Sequence, residues 1–257
     1  MQAIHPQKTS PQDLREIYAT VRAYTEKLCE PLEIEDYIPQ PVVDVSPPKW
    51  NIAHTTWFFE EMILKKFVAG YKVFDENFSF LFNSYYNSIG TRTARDHRGD
   101  LSRPTVKRVF EYRKYVDERM LELLSVSPAV AGGLRVSSPD VSKGSSSIIA
   151  RPAEEYAADD DIPQYVVRSP QLDDIVLLGL NHEQQHQELF ITDLKYTLGV
   201  NPLFPAYREG YAPEETAESG IDGFAELKGG FYEIGYNGDG FHFDNELSRH
   251  KVYLDDF

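Results

Sequence analysis

The sequence predicts a mainly α-helical protein, a four-helix bundle followed by a short strand-rich segment. Four segments repeat apolar residues at the three- and four-residue spacing of an amphipathic helix. Near the end of the chain the pattern changes to glycine turns between short aromatic and β-branched runs, which is typical of strands. Because helices with one apolar face bury it by packing together, we expect a bundle.

The first two predicted helices carry start and stop signals. Ser10 and Pro11 supply an N-cap and a first-turn proline for the first helix, which ends near Glu30. The second helix spans about 50–69, is dense in aromatic residues, and stops at Gly70.

The third and fourth helices follow the same logic. A cap within 102–105 begins the third helix, which ends at 125–128. Ser169 and Pro170 repeat the first helix's start signal, and Gly199 closes the fourth helix.

Composition divides the chain into domains. We predict a helical metal-binding domain at 10–200, interrupted at 126–168 by a flexible insertion rich in serine, glycine and acidic residues. The composition of residues 201–222 predicts a linker. The strands of 223–257 are too few to bury a core, so we expect them to be the beginning of a second, incomplete domain.

Charge and cysteine content narrow the functional classes. The 257 residues carry a net charge of -15, which argues against a nucleic-acid partner. The single cysteine, Cys29, cannot form an internal disulfide, and neither a signal peptide nor a membrane-spanning apolar run is present. We therefore expect a cytoplasmic protein without membrane partners.

His182 and His186 form the first candidate site. Side chains four apart lie one turn above each other on a helix and can bind one metal ion. Both histidines fall on a mostly apolar helical stripe that is expected to face the core. The spacing favours metal binding over the alternative of two hydrogen-bonded core histidines. The stripe also contains Leu172, Ile175, Leu178, Leu189, Asp193 and Tyr196.

His54 is the candidate third ligand. It shares one face of the second helix with Trp50, Trp57 and Phe58, where an unpaired imidazole would be costly. The alternative is a packed histidine bonded to a backbone carbonyl. Because facing helices of a bundle can assemble a metal site, the histidine pair shifts the balance toward coordination.

A cluster of arginines lies in the long connection between the second and third helices. Arg92, Arg95, Arg98 and Arg103 stand close together in a strongly acidic chain. The arginine fork matches a carboxylate, so the cluster indicates anion recognition. The alternative is a set of solvated charges paired with nearby acids.

Five strings together resemble a known family. SPPKWNIAHTTWFFE, RGDLSRPTVKRVFEYRKYVDERM and LNHEQQHQEL, in this order, resemble the DinB-like helical domain of the ergothioneine-biosynthesis sulfoxide synthases, the EgtB type. GGFYEIG and FHFDNELSRHKVYLDDF resemble the opening of the α+β formylglycine-generating-enzyme-like domain, a sulfatase-modifying-factor-like fold, that follows it in those enzymes. The resemblance covers nearly the whole chain from Ser10 onward, except 126–168.

The resemblance implies a non-haem Fe(II) enzyme that uses O2. Such an enzyme joins a thiol, γ-glutamylcysteine or cysteine, to the imidazole of hercynine, with oxidation to the sulfoxide. By motif match, the iron ligands are His54, His182 and His186. Three imidazoles are compatible with iron and leave positions for O2 and substrates.

The resemblance also implies substrate-binding residues. Gln185 matches the glutamine that helps to place hercynine. Arg92 and Arg95 best match the pair that holds the carboxylates of the thiol substrate, and Arg98 is an alternative because Arg95 and Arg98 have the same spacing.

The chain departs from the family at three points, one of which is the insertion at 126–168, which is longer than expected. Asn51 stands where a histidine is common, which leaves the match to His54 intact. The family's catalytic tyrosine belongs to a part of the second domain beyond Phe257, so turnover by these residues alone is an open expectation. Two other functions stay possible: a DinB-like metal-dependent thiol S-transferase using zinc or nickel, and a non-catalytic metal-binding fragment.

Overall fold

A computed structural model of the protein divides it into two units. The larger unit is Ser10–Tyr207, and the smaller unit includes Arg208–Phe257. No helix in the described part of the chain is both long and apolar enough to cross a bilayer. The structure describes residues 11–84, 92–125, 170–210 and 223–257.

The larger unit is the expected bundle. Its main helices pack in a cycle, because α1 contacts α5 and α6, and α2 contacts the same two helices. The helices are α1 (Pro11–Cys29), α2 (Pro48–Phe59), the short α3 (Lys65–Phe67) and α4 (Phe78–Leu81), α5 (Val106–Ser125) and α6 (Pro170–Gly199).

The structure confirms the mainly helical prediction. α5 begins as expected after Thr105, whose hydroxyl accepts a hydrogen bond from the Arg108 amide at 3.1 Å. The predicted caps Ser10 and Ser169 and the predicted insertion at 126–168 lie outside the described residues.

The second predicted helix is interrupted by a wider turn. A π-helical turn, Glu60–Leu64, joins α2 to α3. The Glu60 carboxylate is buried there and accepts hydrogen bonds from the Tyr71 hydroxyl at 2.7 Å, the Tyr112 hydroxyl at 2.6 Å and the Phe74 amide at 3.0 Å. These bonds offset the cost of burying the carboxylate.

The buried face of α6 differs from the predicted stripe. Leu189 and Tyr196 are 43% and 45% exposed, so the prediction that they face the core was wrong. The predicted stripe runs through the two histidines, whereas the face of α6 that packs against the other helices lies beside that stripe. Its buried residues are Leu172, Val176, Leu180, Glu183, Gln187, Phe190 and Leu194.

Glu183 is a fully buried carboxylate at the centre of this face. It pairs with the Arg22 guanidinium of α1 at 2.8 Å and with the Arg113 guanidinium of α5 at 2.7 Å, and the Thr25 hydroxyl donates to it at 2.6 Å. Burial alone would raise the pKa of Glu183. The two arginines and the hydrogen bonds outweigh burial and lower this pKa to about 2.

The smaller unit contains a two-stranded antiparallel sheet. β1 (Gly230–Ile234) pairs with β2 (His250–Leu254), with Tyr232 opposite Val252 at the centre of the register. Gly235 has φ +116°, and a Cβ there would lie 2.7 Å from the Arg249 Cα, so the turn after β1 requires glycine. The strand prediction for this segment is confirmed, whereas its assignment to a second domain stays a prediction.

Removing the charge of Glu183 tests the buried network. Glu183→Gln leaves two buried guanidiniums without their shared anion, so we expect the free energy of unfolding to fall by about 3–5 kcal/mol. Urea denaturation measures this loss. Glu188→Gln, at an exposed position of the same helix, is the matched control and should change stability by less than about 0.5 kcal/mol. Equal, small losses for both variants would contradict the proposed role.

Candidate metal centre

The structure brings the three predicted histidines together. His54 is on α2, and His182 and His186 lie one turn apart on α6, which packs against α2. One nitrogen from each ring lies within 4.8 Å of the other two. The ring centroids are 4.7–5.0 Å apart. This convergence is what a three-histidine metal site requires.

The ring of His54 is fixed by two stacked indoles and by a hydrogen bond at Nδ1. Trp50 and Trp57 stack on its ring, with centroid distances of 4.4 and 5.6 Å and interplanar angles of 15° and 17°. Its Nδ1 lies 2.7 Å from the Phe82 carbonyl oxygen. A carbonyl can only accept, so Nδ1 carries the proton and Nε2 keeps a free lone pair.

His186 is anchored in the same manner by a different group. Its Nδ1 lies 2.9 Å from Oδ1 of Asn51, which assigns the proton to Nδ1 and again leaves the lone pair of Nε2 free. His182 differs, because its buried Nδ1 has no hydrogen-bond partner among the described residues. The cluster therefore has two anchored rings and one ring without an anchor.

The histidines are held in the neutral form. Burial lowers the pKa of His54 well below its usual value, and the neighbouring His186 and His182 rings lower it further. Burial lowers the pKa of His182 to about 4, against a smaller opposing effect of Glu183. Burial and His182 lower the pKa of His186 to about 3. Neutral imidazole is the form that binds metals.

The donor set fits a transition metal. No described group donates a hydrogen bond to Nε2 of any of the three rings, and the only described cluster of potential ligands is these imidazoles. Imidazole suits zinc, iron, copper and nickel, whereas calcium and magnesium require oxygen ligands. The site can hold one transition-metal ion and does not select among these metals by donor type alone.

The predicted substrate residues take different positions. Gln185 is exposed on α6. Arg95 is exposed and donates to the carbonyls of Val43 at 3.2 Å and Asp44 at 2.6 Å. Arg92 donates to the Ser84 carbonyl at 2.8 Å.

Arg98 is the arginine that the structure connects to the histidine cluster. It is 5% exposed and donates to the hydroxyls of Ser46 at 2.8 Å and Ser84 at 3.0 Å. Its guanidinium lies 3.4 Å from the centroid of Trp50, which itself stacks on His54.

Two functional positions were missed in the sequence. Asn51 precedes the candidate ligand His54 by three residues, and the sequence shows it only as a departure from the family string. Glu183 stands next to His182 and was not placed in the core. The sequence did contain a signal for a buried Glu183. Arg22 and Arg113 lie at inward positions of two other helices, and buried arginines need a buried anion.

The fold and the site define a class of protein, a helical bundle with three histidines converging inside it. Comparison with protein families identifies residues 17–190, about two thirds of the chain, as matching the DinB superfamily. The chain belongs to the DinB superfamily. No curated protein matches the chain.

The pKa values predict how the metal-free protein responds to acid. The three histidines bind protons more weakly when folded than when unfolded, where their pKa is about 6.5. Their contribution to stability is therefore complete above pH 6.5 and is lost as the pH falls toward 4. Each proton taken up on unfolding should lower stability by about 1.4 kcal/mol per pH unit.

Urea denaturation between pH 7 and pH 5.5 measures this effect, because Glu183, with a pKa of about 2 when folded and about 4.5 when unfolded, takes up almost no proton on unfolding over that window. His182→Gln should reduce the slope, since one proton fewer is taken up on unfolding. A stability that does not change over this window would contradict the assignment of neutral, buried rings.

Proposed function

We propose that the protein holds Fe(II) with His54, His182 and His186 and acts in sulfoxide synthesis of the EgtB type. The proposed reaction joins the sulfur of γ-glutamylcysteine or cysteine to the imidazole of hercynine and consumes O2 as the oxidant. The observation that supports it most is the convergence of three neutral imidazoles within 4.8 Å in a DinB bundle that carries the LNHEQQHQEL string.

Bound Fe(II) would supply open coordination positions where O2 and a thiol sulfur can react. The chain's own residues hold the ligands in place. The Phe82 carbonyl and the Asn51 amide orient two of the rings, and the indoles of Trp50 and Trp57 restrict the ring of His54 and keep water from its faces.

We propose polar residues outside the ligand set for substrate binding. Gln185 is exposed between the two histidines of α6 and is available to a ligand arriving from solvent. We propose Arg92 and Arg95 for the carboxylates of the thiol substrate. Arg98 is the alternative, and its stacking on Trp50 favours it because that contact leads to His54.

A second candidate is a metal-dependent thiol S-transferase. The observation that favours it is that the DinB match at 17–190 contains all three histidines, so the bundle alone carries a complete ligand set. In that reaction zinc or nickel would stabilise a thiolate, and O2 would not be consumed. A non-catalytic metal-binding fragment is the third possibility.

Turnover assays distinguish these functions. The purified chain is loaded with Fe(II) and supplied aerobically with hercynine and either thiol, and the products are identified by mass spectrometry. A sulfoxide with a new carbon–sulfur bond would support the synthase. Thiol transfer to an electrophile without O2 would indicate the transferase, and metal binding without either product would indicate the fragment.

Variants at the cluster provide the control. His54→Ala, His182→Ala and His186→Ala should each lose stoichiometric metal binding, because two imidazoles hold an ion far less tightly than three. His250→Ala removes an exposed histidine of β2 and should bind metal as the wild type does. Unchanged metal binding in the three cluster variants would exclude this site.

A further inference from the structure

The structure assigns a role to Asn51. We propose that it is a positioning residue that holds His186 as an Nε2 ligand by linking its ring to the backbone carbonyl of Ser46. This inference rests on the metal binding proposed above and adds a residue that lies outside the ligand set. It concerns the ring orientation and the position of one proton.

The orientation of the Asn51 amide follows from its neighbours. The side chain is 3% exposed, and its Nδ2 donates to the Ser46 carbonyl at 3.2 Å. A flipped amide would place Oδ1 against the Ser46 carbonyl oxygen, which only accepts, so only the orientation that directs Oδ1 at His186 satisfies both groups.

This orientation determines the proton on His186. Oδ1 only accepts, so His186 Nδ1 must donate at 2.9 Å, and the lone pair of the neutral ring is then on Nε2. With an apolar side chain at position 51, Nδ1 would lose its partner and the ring could protonate either nitrogen and rotate. Asn51 thus fixes both the protonated nitrogen and the orientation of the His186 ring before an ion binds.

The position of Asn51 also links the two helices of the site. Asn51 lies three residues before His54 on α2. One turn of α2 therefore carries the candidate ligand His54 and also the side chain that bonds His186, the candidate ligand on α6. Asp193, on α6 two turns beyond His186, accepts from the Ser46 amide at 3.0 Å next to the start of α2. The hydrogen bonds of Asn51 therefore fix the spacing of α2 and α6 at the cluster.

The first test reads the proton directly in the metal-free protein. Long-range ¹H–¹⁵N correlation spectra of labelled histidine show which ring nitrogen is protonated. We expect His186 to be protonated at Nδ1 in the wild type and to show a mixture of tautomers in Asn51→Leu. Protonation of wild-type His186 at Nε2 would overturn the proposal, whatever the protein does with metals.

The second test measures Co(II) affinity by competition with a chelator, together with the visible spectrum of the bound ion. Asn51→Leu should bind Co(II) about 10–100-fold more weakly, the usual effect of losing a group that orients a metal ligand. Asn51→His should recover most of the affinity, because an imidazole offers one acceptor for His186 and one donor for the Ser46 carbonyl.

Thr55→Val is the matched control for the affinity test. Thr55 is buried on the same helix, and its hydroxyl donates to the Ile52 carbonyl at 3.2 Å. Its loss should lower stability without changing Co(II) affinity or spectrum. Circular dichroism confirms that each variant is folded.

The outcomes separate this inference from the proposed function. Equal Co(II) affinity and spectrum in Asn51→Leu and the wild type would overturn the positioning role. A wild type that binds no Co(II) would overturn it together with the metal site. Loss of affinity in Asn51→Leu without sulfoxide formation in the turnover assay would support the positioning role and reject only the synthase.

Discussion

The buried carboxylate of Glu183 is the constraint on which the bundle depends. Arg22 and Thr25 of α1 and Arg113 of α5 all bond to it, so one side chain of α6 is tied to two other helices. Rotating α6 by one residue would remove these bonds and leave the Glu183 carboxylate buried without a partner, at a cost of several kcal/mol. Because Glu183 is next to His182, the same bonds determine the direction in which the histidines point.

The histidine cluster lies beside this network and has the opposite electrostatic character. Glu183 alone would favour protonated histidines, but two guanidiniums neutralise its charge, and burial keeps the neighbouring rings neutral. The groups that orient His54 and His186 are an uncharged carbonyl and an uncharged amide. A divalent ion held there would keep its full charge, which favours anionic co-ligands at open positions.

Much of the bundle could be predicted because its signals are local. Pro11, Thr105 and Gly199 mark helix boundaries through backbone chemistry that depends on the nearest few residues. The inward face of α6 could not be read in the same way. Leu189 and Tyr196 are apolar but exposed, whereas Glu183 is charged but buried. A prediction based on the spacing of apolar residues therefore assigns all three to the wrong environment.

The sequence by itself determined the helical class, the histidine pair four residues apart and the change to strands after residue 222, because periodicity and turn chemistry act over short distances. Only the tertiary structure decided that His54 meets that pair, that Asn51 anchors His186 and that Arg98 stacks on Trp50. These contacts join residues that are far apart in the chain. Their geometry depends on how α2 and α6 pack, and the Arg22 guanidinium of α1 connects these two helices, because it bonds both to Glu183 of α6 and to Thr56 of α2.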